Sequence, residues 1–421
     1  MRSPLPRRSV VVCLALAAVV GVAVGRSVSE APPAAPPATP SERTASDAAR
    51  LTEEAIRLSA AGDFARACEQ FRAAADREPA GEALRPDTSG CFEGWGWQAL
   101  SEGRSTEAMA LFRQGLRDAP ASPPLLRGLG VAAVHAGHAA DAIVSLESAV
   151  RIADDVQVRM LLAYLYDRRD EPGRAAEHLA LVLARHPAHG AARRLTTRLD
   201  REQRAEAGFE RETATGFAIK WTADASDERK RLVRRLLDAA RRRLDRELRY
   251  RPADPVAVVL YTDAEFRAVT GAHAWASGVF DGKIRLPLGV PERDLERLVQ
   301  HEYAHAAVHE LARGRAPRWL HEGLAQSIEG LEPDPMLRVP SSVTLAGVEA
   351  LITDPDPIRA RTGYDLALWI VRDLLERGGT QQMADLLARL GSAEPMDMAF
   401  ARVYGLRLTD LESQWRRRLG G

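Results

Sequence analysis

His301-Glu302-Tyr303-Ala304-His305 and, a short way downstream, Trp319-Leu320-His321-Glu322-Gly323-Leu324-Ala325 decide how the C-terminal half of this chain reads. On a helix, side chains at i and i+4 share a face, so His301 and His305 can offer two imidazole nitrogens to one metal ion with Glu302 beside them. A catalytic zinc keeps three protein ligands and one open position, so a further donor is needed. His309 lies one turn beyond His305. Three ligands climbing one straight helix at about 1.5 Å per residue do not converge on one ion, so His309 reads as a neighbour of the site or a surface residue. Glu322 falls on a second predicted helix, which begins near Pro317 after the turn-like 312–316 segment, and a helical hairpin carries it back over the first. The expected ligands are His301, His305 and Glu322.

Together the two motifs resemble the gluzincin branch of the zincin metallopeptidases, and more narrowly the bacterial peptidase MA-like proteins, whose second motif also reads Trp-aliphatic-x-Glu-Gly-x-Ala. The resemblance covers about the last 200 residues. The metzincin pattern does not fit, because Val308 and Leu311 stand where its Gly and third His would be. The resemblance implies a zinc peptidase with Glu302 as general base. It also implies an Asp four residues after the ligand Glu to orient a histidine. Here that position is Gln326, whose amide oxygen, or a backbone carbonyl, is the substitute acceptor. Gluzincins further stabilise the oxyanion with a later Tyr or His, and Tyr364, read as opening a helix over 364–377, is the candidate; the plainer reading is a structural Tyr.

The chain has 421 residues, 46% of them hydrophobic, which is ample for two or three domains. Its 58 basic residues balance 58 acidic ones, so nothing global points to nucleic acid. Arginine outnumbers lysine heavily, Lys220, Lys230 and Lys283 being the only lysines, and no function follows from that bias. Arg2, Arg7 and Arg8 precede an apolar run over 10–25, the signature of an export signal. The run is either removed as a signal peptide or kept as a membrane anchor, and both place the folded part outside the cytoplasm, in the periplasm or cell envelope. Cys13 lacks the preceding small residue of a lipidation site. The Pro-rich stretch Ala31–Pro40 reads as an extended spacer.

From about residue 45 to 199 the sequence repeats. Ala60-Ala61-Gly62-Asp63-Phe64-Ala65-Arg66-Ala67 returns as Ser101 to Ala108 and as His135 to Ala142, with a weaker copy near Asp170 to Ala176. Gly103 and Gly137 are 34 apart, and Pro79, Pro120 and Pro187 stand at matching helix ends. This pattern resembles tetratricopeptide (TPR) repeats, which implies a curved solenoid with a concave face for a peptide or protein partner, or else a rigid spacer. The first two copies are 41 apart, with the excess in the 78–90 connection, flanked by Cys68 and Cys91. In an exported protein these two thiols either form a disulfide or stay as buried thiols.

The arginine-dense stretch 229–249 carries Leu232, Leu236, Ala240, Leu244 and Leu248 at helical spacing, so it reads as the solvated face of an amphipathic helix rather than an anion site. Strands are expected over 216–221, 256–261 and 282–287. By resemblance, 283–286 would be the edge strand that pairs with substrate; otherwise it is an ordinary hairpin strand after Gly278.

These readings combine into a mainly α protein with an α+β part. The expected order is a signal peptide or anchor at 1–25, a linker at 26–44, a TPR-like α-solenoid at 45–199, and an α+β zincin-like domain at 213–421. The expected function is zinc-dependent hydrolysis of peptide bonds, with Glu302 and Tyr364 catalytic, Zn2+ held by His301, His305 and Glu322, and the repeats docking substrate or partner. The rival is a catalytically silent envelope scaffold that binds partners through its repeats.

Overall fold

The computed structural model describes residues 40–77, 85–271, 278–334 and 344–419. The export segment and nearly all of the spacer lie outside them, as does Pro79. Pro40, the spacer's last proline, is instead the first residue of a helix, where its missing N–H costs nothing. Among the described residues no helix is long and apolar enough to cross a membrane.

The first half is a row of helical hairpins: α1 (Pro40–Ala60) with α2 (Phe64–Ala75), α3 (Arg85–Ser101) with α4 (Ser105–Asp118), α5 (Pro123–Ala136) with α6 (Ala139–Ile152), and α7 (Val156–Arg168) with α8 (Pro172–Arg185). Helix α9 (Gly190–Ala205) closes the row. Small residues let the helices touch: a Cβ on Gly128 would meet the Phe112 ring at 2.3 Å. Part of the 78–90 connection is helical, because α3 already begins at Arg85. Cys68 and Cys91 are joined across it, their Cα atoms 5.6 Å apart, so of the two readings the disulfide is the one found.

Each hairpin turns at one residue in the left-handed region. Gly62, Gly103 and Gly137 have φ near +80°, which only glycine adopts without cost. The fourth hairpin puts Asp170 there, at φ +59°. A non-glycine residue held in that conformation needs compensation from its surroundings, and Asp170 receives it from the second half of the molecule.

That half begins with β1 (Glu210–Ala214) and β2 (Phe217–Trp221), followed by α10 (Asp227–Leu248), β3 (Val256–Tyr261), α11 (Asp263–Thr270), β4 (Val279–Phe280) and β5 (Ile284–Pro287). The strands form one sheet in the order β1-β2-β3-β5-β4. β2, β3 and β5 run parallel, with Ile219 opposite Val258 and Val258 opposite Ile284, while β1 and β4 are antiparallel edges. Strand β5 is therefore internal, which corrects the expectation that 283–286 is a free edge: the Asp281-Gly282 turn folds β4 back onto its outer side. Helices α12 (Glu292–Leu311), α13 (Arg318–Glu329), α14 (Leu345–Ile352), α15 (Pro357–Gly391), α16 (Met396–Tyr404) and α17 (Leu408–Leu419) complete the half. The α15 span is bent at Gly379, whose φ and ψ are not helical.

Alternation along the strands divides the sheet into two faces. Phe217, Ile219, Trp221, Val258, Leu260, Ile284 and Leu286 point into the large core shared with α10, α12, α13 and α15. The arginine-rich helix α10 is amphipathic as its spacing predicts, but the buried stripe is Val233, Leu237, Ala240, Leu244 and Leu248, while Leu232 and Leu236 of the expected stripe are only half-buried beside it. The opposite face carries Lys220, Tyr261, Lys283 and Arg285, a polar set that alternation alone would assign to solvent. It is buried too, because the end of the solenoid covers it. Lys220 Nζ lies 2.6 Å from both Asp170 and Glu206. Lys283 Nζ lies 3.1, 3.3 and 3.2 Å from Asp167, Asp170 and Glu202, and Arg285 is 2.9 Å from Glu202. Asp170 thus offsets its strained backbone with two buried lysines, something glycine could not do. Further along the same seam Arg313 donates to the carbonyl of Ala136, and Arg315 reaches His135 at the end of α5.

Candidate metal site

Helix α12 is held on several sides, and that fixes where its histidines point. Val299, Tyr303, Ala304 and Ala307 are buried, and the Tyr303 ring packs on Phe217 of β2 and on Tyr250. Helix α13 crosses it after the 312–317 turn. The first free N–H groups of α13, on Arg318 and Trp319, donate to the Glu349 carboxylate at 3.1 Å each, so an anion from α14 caps the helix. Gly323 is required by packing: a Cβ there would stand 2.2 Å from the carbonyl oxygen of Ala367 in α15. That contact sets the depth of α13 and so the position of its neighbour Glu322.

His301, His305 and Glu322 converge. Their ligand atoms lie within 4.8 Å of one another, the one such group of three among the described residues. His305 Nε2 is 3.2 Å from His301 Nε2, and the Glu322 Oε2 atom is 3.9 Å and 3.6 Å from His301 Nε2 and His305 Nε2. Tetrahedral ligands about 2.1 Å from a zinc ion stand about 3.4 Å apart, so the three atoms form a triangle of the size such an ion needs. The chemistry of the donors, two imidazoles and a carboxylate, also suits zinc.

Glu302 lies beside this triangle. It is buried, and its Oε2 has no hydrogen-bond partner, an arrangement that costs free energy unless something else compensates it. Burial pushes its carboxyl up to about 7; His301 opposes this, and Glu322 and Glu329 add to it. The edge of the sheet leaves space for it only because residue 278 is glycine: a Cβ there would sit 2.6 Å from Glu302 Oε1.

The remaining candidates fall as follows. His309 stays outside the triangle; its ring packs edge-on against Phe280 with centroids 5.7 Å apart, and burial, followed by the charge of Arg168, lowers its pKa to about 4. Tyr364 does not open its helix but sits two turns inside α15, because the helix starts at Pro357. Burial, followed by the charge of Glu322, pushes its phenol up to about 12. Gln326 turns its amide nitrogen to the carbonyls of Glu322 and Tyr364, at 3.3 and 3.0 Å. The acceptor at His301 Nδ1 is instead Glu329, at 3.0 Å. The sequence held a signal for it: Glu329 is seven residues, two helical turns, after Glu322 and so on the same face.

The tetratricopeptide repeat family matches residues 99–165, which span α4, α5 and α6 and most of α7. The chain carries TPR repeats. Among solved structures, a thermophilic TPR protein of Thermus thermophilus is 17% identical, with 36% of this chain and 98% of that one covered at a TM-score of 0.22. A TPR protein of Parabacteroides merdae is 12% identical, covering 82% and 99% at a TM-score of 0.35. The TPR domain of P58(IPK) is 13% identical, covering 79% and 100% at 0.21. No curated protein matches the chain. TPR repeats generally mediate contacts between proteins, and this coarse reading, a protein-interaction scaffold, is what the family match over 99–165 supports.

Proposed function

We propose that this TPR protein also holds one zinc ion on His301, His305 and Glu322 and hydrolyses peptide bonds, with the repeats docking substrate or partner. The observation that carries the proposal is the buried, unpartnered carboxylate of Glu302 next to three donors spaced for one ion. Zinc, when bound, supplies a Lewis acid that acidifies water and polarises a carbonyl. Glu302, raised towards neutrality by burial, takes a proton from the attacking water and returns it to the leaving amine. The Tyr364 hydroxyl, protonated through the neutral range, is the donor for the developing oxyanion. Export to the cell envelope, with the 10–25 segment as signal or anchor, belongs to the same proposal.

The second reading is a scaffold with a silent site. It is favoured by the family match, which is confined to the repeats. One comparison separates the two: metal content and peptide cleavage by the full chain, set against Glu302→Gln. The hydrolase reading expects one zinc per chain in both proteins and a loss of about 10²–10⁴-fold in cleavage in the variant. Zinc-loaded protein that cleaves no peptide from a broad library, or that cleaves equally well as Glu302→Gln, leaves the scaffold.

A further inference from the structure

We infer that Glu329 is the positioning residue that aims His301 at the metal, an inference that rests on the zinc reading above. His301 turns Nε2 towards His305 and Glu322, which leaves Nδ1 facing away from the triangle, 3.0 Å from Glu329 Oε2. An ionised carboxylate only accepts hydrogen bonds, so it selects the tautomer with the proton on Nδ1 and keeps the Nε2 lone pair free for a ligand bond. Without such an acceptor the imidazole can rotate or carry its proton on the wrong nitrogen.

Two features of α13 support the assignment. Glu329 is the helix's last residue, where the partial negative charge of the carbonyl ends disfavours an acid, and no basic residue shares that turn. By local rules this is a poor place for Glu, and its hydrogen bond to His301 is the only one it makes among the described residues. The helix end is nonetheless held firmly: Gly330, at φ +90°, closes it with its N–H directed to the carbonyls of Gln326 and Ser327. The carboxylate is therefore presented from a fixed point and is itself largely covered, its side chain 19% exposed. Gln326, one turn nearer the ligand, is committed to two backbone carbonyls.

The test uses the full chain and zinc alone. Zinc affinity is measured by competition with a chromophoric chelator for wild type, Glu329→Leu, Glu329→Gln, and Glu322→Gln as a ligand-loss control, and the metal-free proteins are melted in parallel. Loss of the acceptor is expected to weaken zinc 10–100-fold in Glu329→Leu. Glu329→Gln, whose amide oxygen still accepts, is expected to lose less, and the metal-free melting temperatures of both variants are expected to stay at the wild-type value. Wild-type zinc affinity in Glu329→Leu, with Glu322→Gln clearly impaired, overturns the role of Glu329 and leaves the zinc reading standing. A fall in metal-free melting temperature matching the fall in affinity makes Glu329 a structural residue and also overturns it. A wild-type chain that binds no zinc removes both readings together.

Discussion

Replacing Lys283 by Met tests what joins the two halves of the molecule. Lys283 is 2% exposed, and its ammonium group lies within 3.3 Å of Asp167, Asp170 and Glu202. A buried ion pair adds little over an apolar pair, but removing one partner strands the other, at about 3–5 kcal/mol. Here each acid keeps a second cation: Arg198 for Asp167, Lys220 for Asp170 and Arg285 for Glu202. The cost should therefore fall at the lower end, about 3 kcal/mol. For a cooperative unit spanning both halves, with an unfolding entropy of about 2 cal/mol/K per residue, that corresponds to a fall of roughly 4 °C in melting temperature. Arg251→Met is the matched control, because Arg251 lies 2.7 Å from Asp245 but is 81% exposed, so that pair contributes no more than about 1 kcal/mol. Differential scanning calorimetry of the three proteins at neutral pH decides. A Lys283→Met melting temperature no lower than that of Arg251→Met would refute the claim that buried charge closes the seam.

The same seam gives a pH prediction. Burial opposes the charge of Glu202, but Arg285, Lys283 and Arg198 more than offset it and hold its pKa below the ordinary Glu value. A depressed acid contributes stability above its unfolded pKa and loses it as pH falls through the folded one, so wild type should lose melting temperature below about pH 4.5 while Glu202→Gln, starting lower, changes less over that window. At the other end burial opposes Lys283, and Asp167, Glu202 and Asp170 raise it, so its contribution persists until the pH passes the ordinary lysine range. Gly278→Ala places a Cβ 2.6 Å from Glu302 Oε1 and 2.8 Å from Leu298 Cδ1; under the proposed zinc-peptidase function, zinc should be retained while a shift of Glu302 by about 1 Å lowers cleavage on the order of 10²-fold, and unchanged cleavage would count against Glu302 as the base. Reduction of the Cys68–Cys91 bond, whose partners are 23 positions apart, should cost roughly 3 kcal/mol, checked by melting with and without reductant.

The elements most legible in the sequence are those whose signal is local. The i, i+4 histidines, the turn before Pro317 and the leucine spacing of α10 each fix a helix, and Gly103 and Gly137 fix a repeat turn, because backbone geometry makes the residue type necessary. Three features escaped for physical reasons. Strand β4 is two residues long, too short to show a period, and its pairing turned β5 from an edge into an interior strand. Strand β1 reads Glu-Arg-Glu-Thr-Ala, the polarity of a loop, because it lies at the sheet's margin and buries little. Asp170 replaces the repeat's glycine for a reason that lies 50 and 113 positions away, in Lys220 and Lys283, and no window along the chain spans that distance.

The scarcity of lysine, uninformative as composition, acquires a use from the fold. Of 58 basic residues only three are lysines; Lys220, Lys230 and Lys283 are 4%, 9% and 2% exposed, each paired with a carboxylate, and two of them lie between the solenoid and the sheet. Apart from its amino terminus, the folded chain therefore offers an amine-reactive reagent almost nothing to acylate. Lys220 and Lys283 can be labelled only when the solenoid lifts from the sheet, so their rate of modification, followed by mass spectrometry of the intact protein, reports the opening of that seam, with no probe to engineer in.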